Sequence, residues 1–250
     1  MKAISNINKH IVVNTNNGSI YDIPFWKTET AIECINKIRI TNYTVLINKV
    51  LKRIIDILAG ICGIILLIPM TVVVILIKKI CGDNESVFFT QERIGKNGKI
   101  FKMYKYRTMV YNADDKLDKY LEENSNAKIE YEKYKKLKDD PRVTKVGKIL
   151  RNSSIDELPQ FINILKGEMS LVGPRPYLLK EKKEMGLYYQ YIIKNKPGLT
   201  GPWQCNGRNL ISFKDRLDID FNYNKKSNII NDFIIIIKTF LKVLIREGAN

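Results

Sequence analysis

The chain has 250 residues, 45% of them hydrophobic, and a formal net charge of +16. That leaves room for one ordinary domain with appendages, and the excess of Lys and Arg calls for an anionic partner: nucleic acid, an acidic membrane surface or a phosphorylated substrate. His10 is the sole histidine, and Cys34, Cys62, Cys81 and Cys205 form no CxxC pair; a zinc site, a disulfide framework and Ser-His-Asp or Cys-His catalysis therefore lack their usual residues, while carboxylate chemistry stays open.

Residues 1–45 are rich in Asn and Ile, lack the basic-then-apolar order of a signal peptide, and carry a possible hairpin turn at Asn16-Asn17-Gly18. They form an N-terminal extension to which the residues assign no role. Residues 46–81 hold an apolar run, Ile57 to Ile77, long enough as a helix rising roughly 1.5 Å per residue to match a bilayer core of about 30 Å. Lys49, Lys52 and Arg53 precede it and Lys78 and Lys79 follow, so positive charge flanks both ends, and Pro69 inside the run predicts a break. A re-entrant helix-break-helix entering and leaving by one membrane face is the expectation; a kinked single span and a buried soluble helix are the alternatives.

Residues 82–250 read as a cytosolic and interfacial domain. Two β-rich runs flank Gly95-Lys96-Asn97-Gly98, predicting a hairpin whose second half carries Lys102, Lys105 and Arg107. These cations leave the strand at odd and even positions, so they cannot share one face of a regular ladder. From Asn112 to Asp140 acids come early and lysines late, as in a solvated helix or helical pair ended by Pro141. Asn228 to Glu247 repeats Lys238, Lys242 and Arg246 along an apolar helix, predicting an amphipathic element lying in the membrane interface. The fold class is thus mixed α/β and mostly helical.

The stretch Arg151 to Pro176, RNSSIDELPQFINILKGEMSLVGPRP, is where chemistry is expected. Asp156 and Glu157 precede Leu158, Phe161, Ile162 and Leu165, one apolar helical face ending near Gly167. Ser154 and Glu157 fit a capping box, with both acids as favourable anions in a first turn. Pro159 argues instead for a helix that begins near Asp156, where the positive helix end would hold a carboxylate ionised as a nucleophile or magnesium ligand facing a phosphate. Both readings stand on the residues alone. Downstream, Pro174-Arg175-Pro176 fixes a guanidinium between two rigid residues, and the Lys196 to Asn209 loop carries Trp203, Gln204, Asn206 and Arg208, which could stack on a base and bond its edges.

Taken together, KRIIDILAGICGIILLIPM, FFTQERIGKNGKIFKMYKYRTM, LRNSSIDELPQFINILKGEMSLVGPRP and KPGLTGPWQCNGRN resemble, in order, the bacterial sugar transferase family, the monotopic polyprenyl-phosphate hexose-1-phosphate (phosphoglycosyl) transferases. The resemblance runs from about Lys49 to the C-terminus. It implies a re-entrant membrane helix broken at Pro69 and a ping-pong enzyme on the cytoplasmic face of the bacterial inner membrane. Asp156 would attack the β-phosphate of a UDP-sugar and release UMP, Glu157 and Asp156 would hold Mg²⁺, and a polyprenyl phosphate would accept the phosphosugar, initiating surface glycan assembly. It further implies phosphate contacts from Lys105, Arg107, Arg151 and Arg175, and nucleotide contacts from Gln204, Asn206 and Arg208. With lipid and diphosphate as the anionic partners, the net charge needs no nucleic acid. A non-catalytic membrane scaffold and a basic nucleic-acid binder are the competing classes, and the apolar run weighs against the second.

Overall fold

A computed structural model describes residues 4–7, 10–14, 20–24, 28–205 and 211–245, with side chains described within 43–205, 211–224 and 227–242. The chain divides into two compact units, residues 1–52 and 53–250. The first holds strands β1 (Ile4–Ile7), β2 (His10–Asn14) and β3 (Ile20–Pro24) in an antiparallel sheet, Ile4 opposite Val13 and Asn14 opposite Ile20. The turn expected at Asn16-Asn17-Gly18 lies outside the described residues.

Helix α1 runs Thr28–Ile80. It starts well before the expected residue 46 because no Gly or Pro interrupts the sequence between Thr28 and Ala59. Nor does it divide into two helices at Pro69, which lies inside the element. A proline removes one N–H and one bond to the preceding turn, and the turns on either side continue. The neighbouring Leu67 carbonyl is well served, accepting from Thr71 Oγ1 at 2.7 Å and from Tyr106 Oη at 3.4 Å. Among the described residues, the stretch Tyr43–Ile80 is the one helix long and apolar enough to cross a membrane.

Within the second unit, one face of α1 is docked. Arg53 donates to the Ile164 and Leu165 carbonyls at 2.8 and 2.9 Å. These carbonyls lie in the last turn of helix α5 (Gln160–Lys166), where the Ile164 oxygen also accepts from Gly167 N. Asp56, buried in an apolar helix, accepts from Ser170 Oγ at 2.9 Å and Leu171 N at 2.7 Å. Gly60 and Gly63 let the backbone close on α5: a Cβ on Gly63 would stand 2.1 Å from Phe161 Cγ. Further along, Leu67 and Val74 pack with Tyr106, Val146 and Leu150. The opposite face leaves Leu58, Ile61, Ile65, Leu66, Ile68, Val72 and Leu76 exposed.

The predicted hairpin is present as β4 (Phe88–Ile94) and β5 (Ile100–Tyr106), Phe88 opposite Tyr106 and Ile94 opposite Ile100. Asn97 and Gly98 take positive φ at its turn, and a Cβ on Gly98 would press to 2.9 Å from Tyr189 Oη. The charged segment forms the helical pair α2 (Ala113–Glu123) and α3 (Ser125–Tyr134). Helix α4 (Lys145–Asn152), capped by Thr144 Oγ1 from Gly147 N, carries the chain to α5. Asn163, fully buried on α5, accepts from Tyr104 N at 3.0 Å and donates to the Lys102 carbonyl at 2.8 Å. An amide side chain thereby pairs with the free edge of β5 as a strand would.

Strand β6 (Ser170–Val172) runs to the short helices α6 (Lys182–Met185) and α7 (Tyr189–Ile192) and pairs in parallel with β7 (Gly198–Thr200). After α8 (Pro202–Cys205) come α9 (Phe213–Lys226) and α10 (Ile229–Ile245). Helix α10 is held through Asp232, which accepts from Tyr223 Oη at 2.6 Å, and Thr239, 2.6 Å from Thr200 Oγ1. It leaves Ile230, Phe233, Ile234, Ile237, Phe240 and Leu241 exposed. A core-packing helix would bury that face.

Candidate active site

The acid pair sits on the turn after α4, against β5. Ser154 takes φ 56, a left-handed conformation unusual for a residue with a Cβ, and the chain turns into a single 3₁₀ turn, Ile155–Glu157. The expectation of an α-helix opening near Asp156 is corrected here: α5 starts at Gln160, with Pro159 as its N-cap. Pro159 has no N–H for the carbonyl of Ile155, so the acids stay in the tighter turn. Nor is there a capping box, since the Ser154 side chain caps nothing.

Asp156 is 8% exposed. Lys105 projects from β5 on the same side as the buried Phe101 and Met103. Its Nζ lies 2.9 Å from Glu157 Oε1 and 3.9 Å from Asp156 Oδ2. Burial pushes the Asp156 carboxyl up to about 6; Lys105 pulls it down, Glu157 raises it and Arg151 lowers it again. The sequence expectation that a helix end holds this acid firmly ionised is thus reversed, because the acid lies in a 3₁₀ turn ahead of α5 and desolvation dominates. Arg151 lies within electrostatic reach of both acids and is oriented by its Nε donating to Thr108 Oγ1 at 3.0 Å.

The other sequence-selected residues make contacts of their own. Arg107 closes the base of the hairpin, its Nε bonded to Ser86 O and Oγ and its guanidinium 5.7 Å over the Phe89 ring. Arg175 stands 5.3 Å from the Trp203 ring centroid, and Arg216 is 5.2 Å from the same centroid. Trp203 therefore engages guanidiniums. Gln204 Nε2 is turned inward to the Leu199 carbonyl at 2.9 Å. Asn206 and Arg208 lie outside the described residues. Sequence reading missed Asn163, Asp56, Arg93 and Arg216; a polar residue inside an apolar helical run was the available signal for Asp56 and Asn163.

Among the described residues no group of three or more His, Cys, Asp and Glu side chains gathers. Asp156 and Glu157 alone still suit magnesium, which takes one or two carboxylates and completes its shell with substrate phosphate and water. Chemically, the arrangement offers a desolvated carboxylate with a reachable pKa, a second carboxylate beside it, and cations that can neutralise an incoming anion.

A family model described as bacterial sugar transferase matches residues 47–246. The chain is 39% identical over 231 residues to an uncharacterized sugar transferase of Haemophilus influenzae, covering 91% of this chain and 49% of that protein. It is 40% identical to the exopolysaccharide production protein ExoY of Sinorhizobium fredii, covering 81% of this chain and 89% of that protein. It is also 41% identical to an undecaprenyl-phosphate galactose phosphotransferase of Salmonella typhimurium, covering 81% of this chain and 42% of that protein. The chain thus spans about half the length or less of two of these relatives and nearly all of the third.

Proposed function

The chain belongs to the bacterial sugar transferase family of enzymes, and from that premise we propose that it moves a sugar 1-phosphate from a UDP-sugar to a polyprenyl phosphate through a covalent intermediate on Asp156. The observation that carries the reading is the buried Asp156 carboxyl set beside Glu157, with the Lys105 ammonium reaching both. An ionised Asp156 oxygen attacks the phosphorus that bears the sugar. The bond from that phosphorus to the bridging oxygen breaks, and UMP leaves with the bridging oxygen. A phosphate oxygen of the polyprenyl carrier then attacks the same phosphorus, and the carboxylate is released. Each half-reaction forms one P–O bond and breaks one, with no net redox change.

Lys105 keeps the two acids from repelling one another and, with Arg151, offsets charge on the entering phosphates. Bound Mg²⁺, held by Asp156 and Glu157, would supply charge neutralisation at the phosphoryl oxygens. The Sinorhizobium protein's name places it in exopolysaccharide production, and undecaprenyl phosphate is the acceptor that the Salmonella protein's name supplies; both support assigning this chain to glycan assembly on a polyprenyl carrier. The exposed apolar faces of α1 and α10 support residence at a membrane, where such a lipid is found. On this reading α1 enters and leaves by the cytoplasmic face of the inner membrane, bending near Pro69, and the catalytic unit lies on that face.

Purified protein in detergent, offered a panel of UDP-sugars with polyprenyl phosphate, should release UMP from at least one. Asp156→Asn should abolish that release. Near-normal release from the folded variant would remove Asp156 as the nucleophile.

A further inference from the structure

A second group of cations lies beside the acid pair. Arg93 comes from β4, Lys136 from the bend after α3, Arg175 from the turn after β6 and Arg216 from α9. Arg93 is 9% and Arg216 2% exposed. Arg93 Nη1 and Nη2 are held by the Pro176 carbonyl at 2.8 Å and Gln91 Oε1 at 2.6 Å. Arg216 reaches the Ile211 carbonyl at 3.4 Å. Asp220, fully buried, accepts from Arg175 N at 2.9 Å and Tyr177 Oη at 2.8 Å, and so fixes the backbone of Arg175.

What distinguishes this group is what it leaves unpaired. Among the described residues, the buried side-chain nitrogen and oxygen atoms without a hydrogen-bond partner are Nε of Arg93, Arg175 and Arg216, Asp220 Oδ1, and Oε1 of Gln204, next in sequence to Trp203. All five belong to this neighbourhood. Among the described residues no carboxylate lies within ion-pair distance of the three guanidiniums. Carboxylates reach the group electrostatically, Glu181 and Glu157 at Arg93, Glu130 at Lys136, and Glu181 and Asp220 at Arg216, while its cations depress one another's proton affinity on top of burial. Buried guanidiniums with orphaned donors and no ion-pair partner are costly to a fold unless an anion completes them.

We propose that Arg93, Arg175 and Arg216, with Lys136 beside them, form a phosphate subsite that seats a phosphoryl dianion next to the Asp156–Glu157 pair. Arg93 links the two: it lies on β4, paired with the strand β5 whose Lys105 holds Glu157, and both Arg175 and Glu157 are within its electrostatic reach. The dianion belongs either to the diphosphate of a nucleotide sugar or to the headgroup of a polyprenyl phosphate. That choice of ligands rests on the transferase reading; the anion site itself does not.

Equilibrium binding to the full chain in detergent separates the cases. One arm titrates UDP and the other a polyprenyl phosphate in mixed micelles, with thermal unfolding recorded for every variant. Arg93→Gln and Arg216→Gln should bind in one arm at least about tenfold more weakly, and Lys136→Gln, on a half-buried side chain able to change without loss of fold, about threefold more weakly. The arm that weakens identifies the source of the dianion. Unchanged binding in both arms by variants that melt like the wild type, with Lys136→Gln as the guard against misfolding of the arginine variants, overturns the subsite. UMP release by wild-type protein is measured in parallel: release with both arms unaffected removes the subsite alone, whereas arginine-dependent binding without release keeps the subsite and removes the transferase reading.

Discussion

Asp156→Asn should make the protein more stable near neutral pH while abolishing UMP release. The carboxyl is held in a site where its side chain is 12% exposed, and burial raises it from 3.8 to about 6 in spite of Lys105 and Arg151. In the unfolded chain the same acid titrates near its ordinary value. Between about pH 4 and about pH 6 the folded state therefore binds the extra proton, and wild-type stability falls as pH rises through that window. Above it the loss is complete. At roughly 1.4 kcal/mol per unit, a rise of about two units is worth at most about 3 kcal/mol. Asn keeps the shape without the charge, so the variant should melt higher at neutral pH, by at most about 6 to 12 °C for a chain of this size. The difference should close at about pH 4, where both side chains are neutral. Thermal unfolding of both proteins in detergent across this pH range provides the assay. A variant no more stable than wild type at neutral pH would refute the claim that burial dominates the acid.

Three further outcomes follow from the same contacts. UMP release by the wild type should climb through about pH 6 as Asp156 ionises, and Lys105→Ala should move that limb to higher pH and slow release by about a hundredfold, read from pH–rate profiles. Asn163→Leu strands Tyr104 N–H and the Lys102 carbonyl at the edge of β5; unfolding should register a loss of about 2 to 4 kcal/mol. Gly63→Val forces side-chain atoms into Phe161, whose ring a Cβ would already meet at 2.1 to 2.4 Å. The melting temperature should fall by several degrees, whereas the same change at exposed Gly82, where a side chain meets nothing within 4 Å and only the φ of +68 opposes it, should cost less.

Much of this fold is local and therefore readable. Gly95-Lys96-Asn97-Gly98 allows the positive φ that the β4–β5 turn adopts, and the ordering of acids before lysines anticipates the α2–α3 pair. Asp156 and Glu157 stood out for their company in sequence. What escaped was set by distance or by environment. Proline was read as a helix breaker at residue 69, where one lost bond left α1 continuous, and as a first-turn residue at 159, where it delays α5 instead. The proton affinity of Asp156 depends on burial by segments far away in the chain. Arg93, Lys136, Arg175 and Arg216 come from four separate elements, so no spacing brings them together, and their orphaned donors exist only once the chain has folded.

The account turns on the covalent bond to Asp156. Incubating the protein with its UDP-sugar donor in the absence of polyprenyl phosphate, quenching in acid and mapping peptides by mass spectrometry would detect it directly. One sugar phosphate on the peptide containing Asp156, discharged when the lipid acceptor is added and missing from Asp156→Asn, is the predicted result. UMP released in amounts matching the enzyme with no adduct, or an adduct on another residue, would contradict it.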